Sequence, residues 1–295
     1  MPNAKDFLPT KHGLTTTVVG PSGSGKSTLA RTAVQHVNAQ GGKAFAFLAP
    51  AAELASYSGL DLDYEILVDP DFDSVAHVQG GKAMVSKTLG TVRSTLDALA
   101  SRSDVRLLIF DTANASISAA VWNAVLASQG IARPQEARNA FSAYQIYPLW
   151  MKELMDKIDL LRYRQKMHVI YLWHQAMKEL QGFGKMRKEI VEGKAEIRWD
   201  EAMQAEVYGQ AFASAIPKYS DLFFFAEPVV AVKDGKKDFR CRLVAMPDEI
   251  RLPKTRLPGV MKRLQEMPEV PNDFPVLLKI VEECYTLAAP SAKEK

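Results

Sequence analysis

After a polar opening stretch, the chain breaks into short apolar runs separated by segments at helical spacing. Residues 14–19 read Leu-Thr-Thr-Thr-Val-Val, a β-branched run of strand length. A glycine-rich segment follows, and residues 27–40 place their apolar positions on one helical face until Gly41-Gly42 stops them. Residues 43–48 form the next apolar run. This order of strand, loop, helix and strand begins a parallel sheet with crossover helices. The pattern further predicts a short strand at 66–68, a helix at 88–100 and a strongly apolar strand at 105–110, with Asp111 at its carboxyl end. Helices are expected at 116–128 and 143–165, then a buried strand at 168–173 that ends on His174.

From 176 to 220 the periodicity weakens, charges mix, and Gly182, Gly184 and Gly193 interrupt the run. A mobile loop or small insertion is expected over 175–220. Strands resume at 222–232 and 238–245 around the turn Lys233-Asp234-Gly235-Lys236. Residues 253–261 look irregular and basic, and 274–287 predict a last helix before a polar tail. The expected division is an α/β core over 1–262 and a C-terminal helix and tail over 263–295.

Composition changes this picture little. Of 295 residues, 47% are hydrophobic and 24% charged, as in ordinary soluble globular proteins. A net charge of +3 permits nucleic-acid binding without requiring it. Cys241 and Cys284 lie too far apart for metal-ligand spacing and read as reduced thiols. No run of about 18 apolar residues exists, so no membrane partner is expected, and a cytoplasmic location follows.

The chemistry concentrates in Gly20-Pro21-Ser22-Gly23-Ser24-Gly25-Lys26-Ser27-Thr28, a complete P-loop between a predicted strand and a predicted helix. Its glycines let backbone N–H groups turn onto phosphate oxygens at the positive end of a helix. Lys26 is expected to reach the β- and γ-phosphates of ATP, and the Ser27 hydroxyl to ligate Mg²⁺. Asp111 is the natural second Mg²⁺ residue, a carboxylate at the end of an apolar strand; capping the next helix is its alternative role. His174 ends another strand, either as a hydrogen-bonded strand-end histidine or, as the resemblance to RecA-like ATPases given next implies, as a γ-phosphate sensor.

Taken in order, several features resemble the RecA-like ATPases encoded by bacteriophages. They are Gly20 to Thr28, Leu107 to Thr112, Val169 to His174, Tyr219-Ser220-Asp221 before an apolar strand, the hairpin around Asp234-Gly235, and Lys254-Thr255-Arg256-Leu257-Pro258-Gly259. The resemblance covers about residues 13–260. It implies an α/β fold of RecA-like P-loop NTPase type, with a mostly parallel central sheet flanked by helices and a late β-hairpin. It also implies ATP hydrolysis in phage recombination or replication on single-stranded DNA, by annealing or strand-exchange proteins. A homo-oligomeric ring or filament and a single-strand-binding protein are the partners that go with it, in the host cytoplasm.

Thr112 stands where AAA+ ATPases carry a glutamate after the metal-binding Asp. In RecA-like ATPases the water-activating glutamate follows the strand after the P-loop helix, and Glu53 is the nearest carboxylate there. The transition-state cation is expected from a neighbouring subunit, with Lys254 and Arg256 as candidates; Arg31, one turn into the P-loop helix, should point away from the phosphates. Between 178 and 198 six basic side chains face four acidic ones, and Phe183, Trp199 and Tyr208 are candidates for stacking on bases. Two other classes stay open: a nucleotide-dependent assembly protein that is not a motor, and a small-molecule P-loop kinase.

Overall fold

The computed structural model describes residues 8–67, 88–131, 140–179, 186–191, 194–199, 201–208, 210–233, 236–248, 250–267 and 269–288. Strand β1 (Thr15–Val19) leads through the glycine-rich loop into helix α1 (Lys26–Ala39), and β2 (Lys43–Leu48) follows. A 3₁₀ segment (Ala51–Tyr57) then precedes β3 (Asp63–Ile66). Helix α2 (Thr88–Leu99) and β4 (Val105–Asp111) come next, then a π-helical turn (Asn114–Ala119) continued by α3 (Ala120–Ser128). After α4 (Ala140–Gln165) and β5 (His168–Trp173) the chain leaves the main sheet as β6 (Gln175–Glu179), β7 (Met186–Val191), β8 (Lys194–Trp199) and β9 (Glu201–Ala205). It returns through the short helix α5 (Gln210–Ala213) to β10 (Leu222–Lys233) and β11 (Lys236–Val244). The last elements are β12 (Lys254–Thr255), α6 (Val260–Gln265), β13 (Val270–Pro271) and α7 (Phe274–Ala288).

The central sheet runs β13-β11-β10-β1-β5-β4-β2-β3, with β12 on β10. Pairing is parallel from β10 across to β3, and the hairpin partner β11 is antiparallel. This is the mixed, mostly parallel α/β sheet of a P-loop NTPase. Its strands are apolar on both faces because both faces are covered. Leu108, Phe110, Val169, Tyr171 and Trp173 pack under α2, α3 and α4, while Leu107, Ile109, Ile170 and Leu172 alternate onto the face under α1, α6 and α7. On the first face Phe47, Phe110 and Tyr171 stack in a row across three strands, with ring centroids 5.1 and 5.2 Å apart.

Three expectations change. The third strand lies at Asp63–Ile66 and meets the expected 66–68 only at Ile66, because its alternation of polar Asp63 and Glu65 with exposed Tyr64 and Ile66 hides it from an apolar-run criterion; Val68 lies outside the described residues. The segment expected as a mobile loop or small insertion over 175–220 is not a plain loop: it contains two antiparallel ladders outside the main sheet, β6 with β9 and β7 with β8. These ribbons are rich in charge, so hydrophobic periodicity does not mark them. The stretch after 263 carries more than a helix and tail: β13 extends the main sheet, and Phe274, Leu277 and Val281 of α7 bury in the same cluster as Leu29 and Val34 of α1. The Asp234-Gly235 turn and the residues after 288 lie outside the described residues.

Candidate nucleotide site

Parallel strands deliver their carboxyl ends to one edge of the sheet, where α/β proteins place ligands. β1 ends in the P-loop, β4 ends on Asp111, and β5, inserted between them, ends at His174. β2, on the far side of β4, leads into the 3₁₀ segment that carries Glu53. A cavity of about 370 Å³ lies here, lined by Gly23, Lys26, Ser27, Glu53, Asp111 and His174 among others.

The loop geometry is built by glycine. Gly23 and Gly25 adopt φ of 75° and 78°, which disfavours a side chain. A Cβ on Gly20 would lie 2.5 Å from Ser24 Oγ and 2.8 Å from the Ala226 carbonyl, so the loop closes tightly over β10. Lys26 is 6% exposed, and its Nζ donates to the carbonyls of Gly20 (2.9 Å) and Pro21 (2.7 Å). Burial holds the ammonium below its usual pKa, while Asp111 and Glu53 pull it back up.

Asp111 is 1% exposed, and its Oδ2 accepts two hydroxyl bonds, from Ser27 Oγ at 2.9 Å and from Tyr57 OH at 2.8 Å. Burial raises the carboxyl above its usual range; the two hydroxyls and Lys26 oppose that shift. Glu53 is also raised, first by burial and then by the charge of Asp111. Burial and the nearby Lys26 push His174 down, so its ring is neutral at pH 7. Its backbone N–H donates to Asn114 Oδ1 at 2.6 Å, and its carbonyl accepts from Glu206 N at 2.9 Å.

These residues fit Mg²⁺ and a triphosphate. A carboxylate and a hydroxyl are hard oxygen ligands, and Mg²⁺ is usually held by one or two carboxylates together with substrate phosphates. Among the described residues no group of three or more His, Cys, Asp or Glu would hold a metal alone. Asp111, buried on hydroxyls with no guanidinium or ammonium hydrogen-bonded to it among the described residues, suits a cation that arrives with its ligand.

The family comparison now decides the class. A family model described as an AAA domain matches residues 12–227, from just before β1 into β10. The chain belongs to this AAA domain family. No curated protein matches it. As an AAA domain it is a P-loop nucleotide-binding protein of the ATPase type, and no helix among its described residues is long and apolar enough to cross a membrane.

Not every residue singled out by sequence reaches the AAA domain's cavity. Ser22 to Thr28, Glu53, Asp111 and His174 lie around it, apart from the buried Ser24. Lys254 and Arg256 do not line it. They sit beside the start of β10, where Lys254 pairs with Phe223 and the Arg256 N–H bonds the Asp221 carbonyl, at the opposite end of the strands from the P-loop. Arg31 turns to the 3₁₀ segment, donating to the carbonyls of Ser56 (2.9 Å) and Ser58 (3.1 Å). Tyr208 stacks on Trp122 at 5.3 Å with rings 3° from parallel; Phe183 and the side chain of Trp199 lie outside the described residues.

Three site residues escape a sequence reading: Tyr57, Asn114 and Cys241. A tyrosine nine residues past a strand, an asparagine in a turn and a cysteine in a hairpin carry no motif. The fold alone brings Cys241 to the cavity wall, Tyr57 onto Asp111 and Asn114 onto the His174 N–H.

Proposed function

We propose that this AAA domain protein hydrolyses ATP as a RecA-like ATPase of bacteriophage type, acting on single-stranded DNA as a ring or filament. The observation that carries the hydrolytic part is the convergence of Lys26, Ser27, Glu53, Asp111 and His174 on one cavity. Lys26 exchanges the Gly20 and Pro21 carbonyls for β- and γ-phosphate oxygens. Ser27 and Asp111 would hold Mg²⁺, which neutralises phosphate charge when bound. Glu53 orients the attacking water and accepts its proton; a carboxyl raised by burial is a better base near neutral pH than an exposed one. Neutral His174 hydrogen-bonds the terminal phosphate.

The DNA part draws support from chain connectivity. The β6–β9 ribbon leaves the sheet one residue after His174, and Glu206, just past the ribbon, bonds back to the His174 carbonyl while Asn114 Nδ2 donates to the Glu206 carbonyl at 2.8 Å. A change at His174 therefore reaches both roots of the ribbon. Lys254 and Arg256, outside their own cavity, fit a role in a neighbour's.

ATP turnover measured with and without single-stranded DNA tests this reading. Stimulation by DNA, weakening as salt rises, is expected because counterion release drives such binding. Turnover that ignores DNA, together with no DNA binding at low salt, overturns the DNA part. Stimulation by a small phosphate acceptor instead would identify a kinase. For the shared site, Lys26→Ala and a Lys254→Ala, Arg256→Ala double variant are mixed; recovered activity is expected, and normal turnover by the double variant alone refutes it.

A further inference from the structure

Glu53, proposed as the base, sits on no strand. It rides on the 3₁₀ segment Ala51–Tyr57, which follows β2 and precedes β3. A helical segment this short is not stable by itself, so the groups it is tied to decide where Glu53 stands. Its start is tied to β4. The Ala49 N–H donates to the Asp111 carbonyl at 2.8 Å, and the Thr112 N–H donates to the Ala49 carbonyl at 3.0 Å. Its end is tied to α1. Arg31 Nη1 donates to the carbonyls of Ser56 at 2.9 Å and Ser58 at 3.1 Å, and further along Asn38 Nδ2 donates to the Asp61 carbonyl at 2.8 Å. Tyr57 lies between these ties, buried in the same cluster as Leu29 and Ala30 of α1.

Carbonyls at the end of a helix have no partner inside it, and Arg31 meets two of them with one side chain. Ser56 stands three residues past Glu53, and residues at that spacing eclipse in a 3₁₀ turn. Glu53 and Ser56 accordingly line the same cavity, while Arg31 does not. Holding the Ser56 carbonyl therefore holds the turn that carries Glu53. Arg31 also lies four residues past Ser27, about one turn along α1. One helix thus presents Lys26 and Ser27 to the phosphates and, from its next turn, fixes the segment whose carboxylate must align a water with them.

We infer that Arg31 is a positioning residue for ATP hydrolysis, acting through the backbone of Ser56 and Ser58 to register Glu53 against the P-loop helix. It touches neither phosphate nor water. A base works only within hydrogen-bond reach of the proton it takes, so loss of the grip acts on the chemical step. Nucleotide binding runs through Lys26, Ser27 and the loop and does not need it. This inference rests on the reading of Glu53 as the base.

Turnover, ADP affinity in the presence of Mg²⁺ and thermal unfolding are measured for Arg31→Met, Arg31→Lys, Glu53→Gln and the Arg31→Met, Glu53→Gln double variant. Methionine keeps an aliphatic stem and removes the donors. In Arg31→Met, kcat should fall by about 10- to 100-fold, as for a displacement of about 1 Å at a reacting group. ADP affinity should stay within about twofold of wild type, which also reports that the variant is folded. Arg31→Lys keeps a cationic donor and should recover part of the loss. Because both residues act on one step, the double variant should be no slower than Glu53→Gln alone. Wild-type kcat in Arg31→Met overturns the inference. So does a double variant whose losses multiply, which would put Arg31 on a different step. ADP affinity that falls together with kcat, or a lowered unfolding temperature with kcat unchanged, would make Arg31 a residue of the fold only. Normal turnover in Glu53→Gln removes Glu53 as the base and the role of Arg31 with it, whereas a slow Glu53→Gln beside a normal Arg31→Met removes the role of Arg31 alone.

Discussion

Two carboxylates sit at opposite ends of the central strands, Asp111 buried and Asp221 partly buried, and their partners differ. At the amino end, Asp221 Oδ2 accepts from the Thr15 N–H at 2.8 Å and from the Arg162 guanidinium at 3.2 Å. Arg162 also donates to the Gly13 carbonyl at 2.6 Å. At the carboxyl end, Asp111 accepts from two neutral hydroxyls and has no cation on it. Burial raises both carboxyls above their usual range, but at Asp221 a fixed guanidinium opposes the shift, whereas at Asp111 the opposing charge is the more distant Lys26. One end of the sheet is closed electrostatically and serves the fold. The other keeps an unneutralised charge in place, which a protein tolerates where a cationic ligand will supply the difference.

The largest effect should come from the cation of the open end. Lys26→Ala removes the buried ammonium that meets the phosphates, and ATP turnover should fall by at least about 100-fold, as for loss of a transition-state donor, with far-UV circular dichroism unchanged. Wild-type turnover in this variant would refute the P-loop assignment.

Asp111→Asn sharpens the contrast because its two consequences have opposite signs. Mg²⁺-dependent turnover should fall steeply, by about 100-fold. Ligand-free stability in urea should rise at pH 7. The sign follows from the raised pKa: in the folded chain the ionised form is disfavoured, so ionisation lowers stability as pH climbs above the unfolded value of about 3.9, and asparagine removes that penalty while still accepting both hydroxyl bonds. The stability difference should vanish in acid. A destabilised Asp111→Asn protein would show that Asp111 serves the fold as Asp221 does.

At the closed end the reverse is expected. Arg162→Leu leaves Asp221 and the Gly13 carbonyl without their guanidinium, and stability should drop by about 3 kcal/mol. The KM for ATP and the Mg²⁺ requirement should stay as in wild type wherever the protein remains folded. A changed Mg²⁺ requirement would mean that the two ends are coupled through β1.

The open end was legible in the sequence where chemistry needs a fixed spacing. Gly20 to Thr28 announces itself because phosphate binding fixes Gly20, Gly25, Lys26 and Ser27 at set spacing, and Asp111 and His174 follow from strands whose two-sided burial makes them continuous apolar runs. The closed end was legible only in part: Tyr219-Ser220-Asp221 precedes an apolar strand, but Arg162 lies in a helix of mixed charge and meets Asp221 only through the sheet order. The β6–β9 ribbon was hidden for another reason. Paired strands outside the core need no apolar face, and their hydrogen bonds leave no periodic trace in composition. Asn272 could not be placed because its partner, Gly25, is 247 residues away in the chain.

The smallest predicted effect tests how the open end is held ready. Tyr57 is 2% exposed, and its hydroxyl donates to the same Asp111 oxygen as Ser27 does. It stands at the end of the 3₁₀ segment that carries Glu53 and whose Ser56 carbonyl is gripped by Arg31. This makes Tyr57 a positioning residue that acts through Asp111. A hydrogen bond to a carboxylate favours the ionised form, so Tyr57→Phe should raise the Asp111 pKa further. Bonds to charged groups contribute about 1.5–3 kcal/mol, so the loss should be felt with Ser27 still in place. Asp111 must be ionised to hold Mg²⁺, and turnover therefore falls as pH drops through its pKa. In Tyr57→Phe the acid limb of the kcat/KM profile should move to higher pH, with near-normal rates restored above it. A purely structural role would lower rates at every pH alike. An acid limb that stays where it is in wild type would take Tyr57 out of the site's electrostatics.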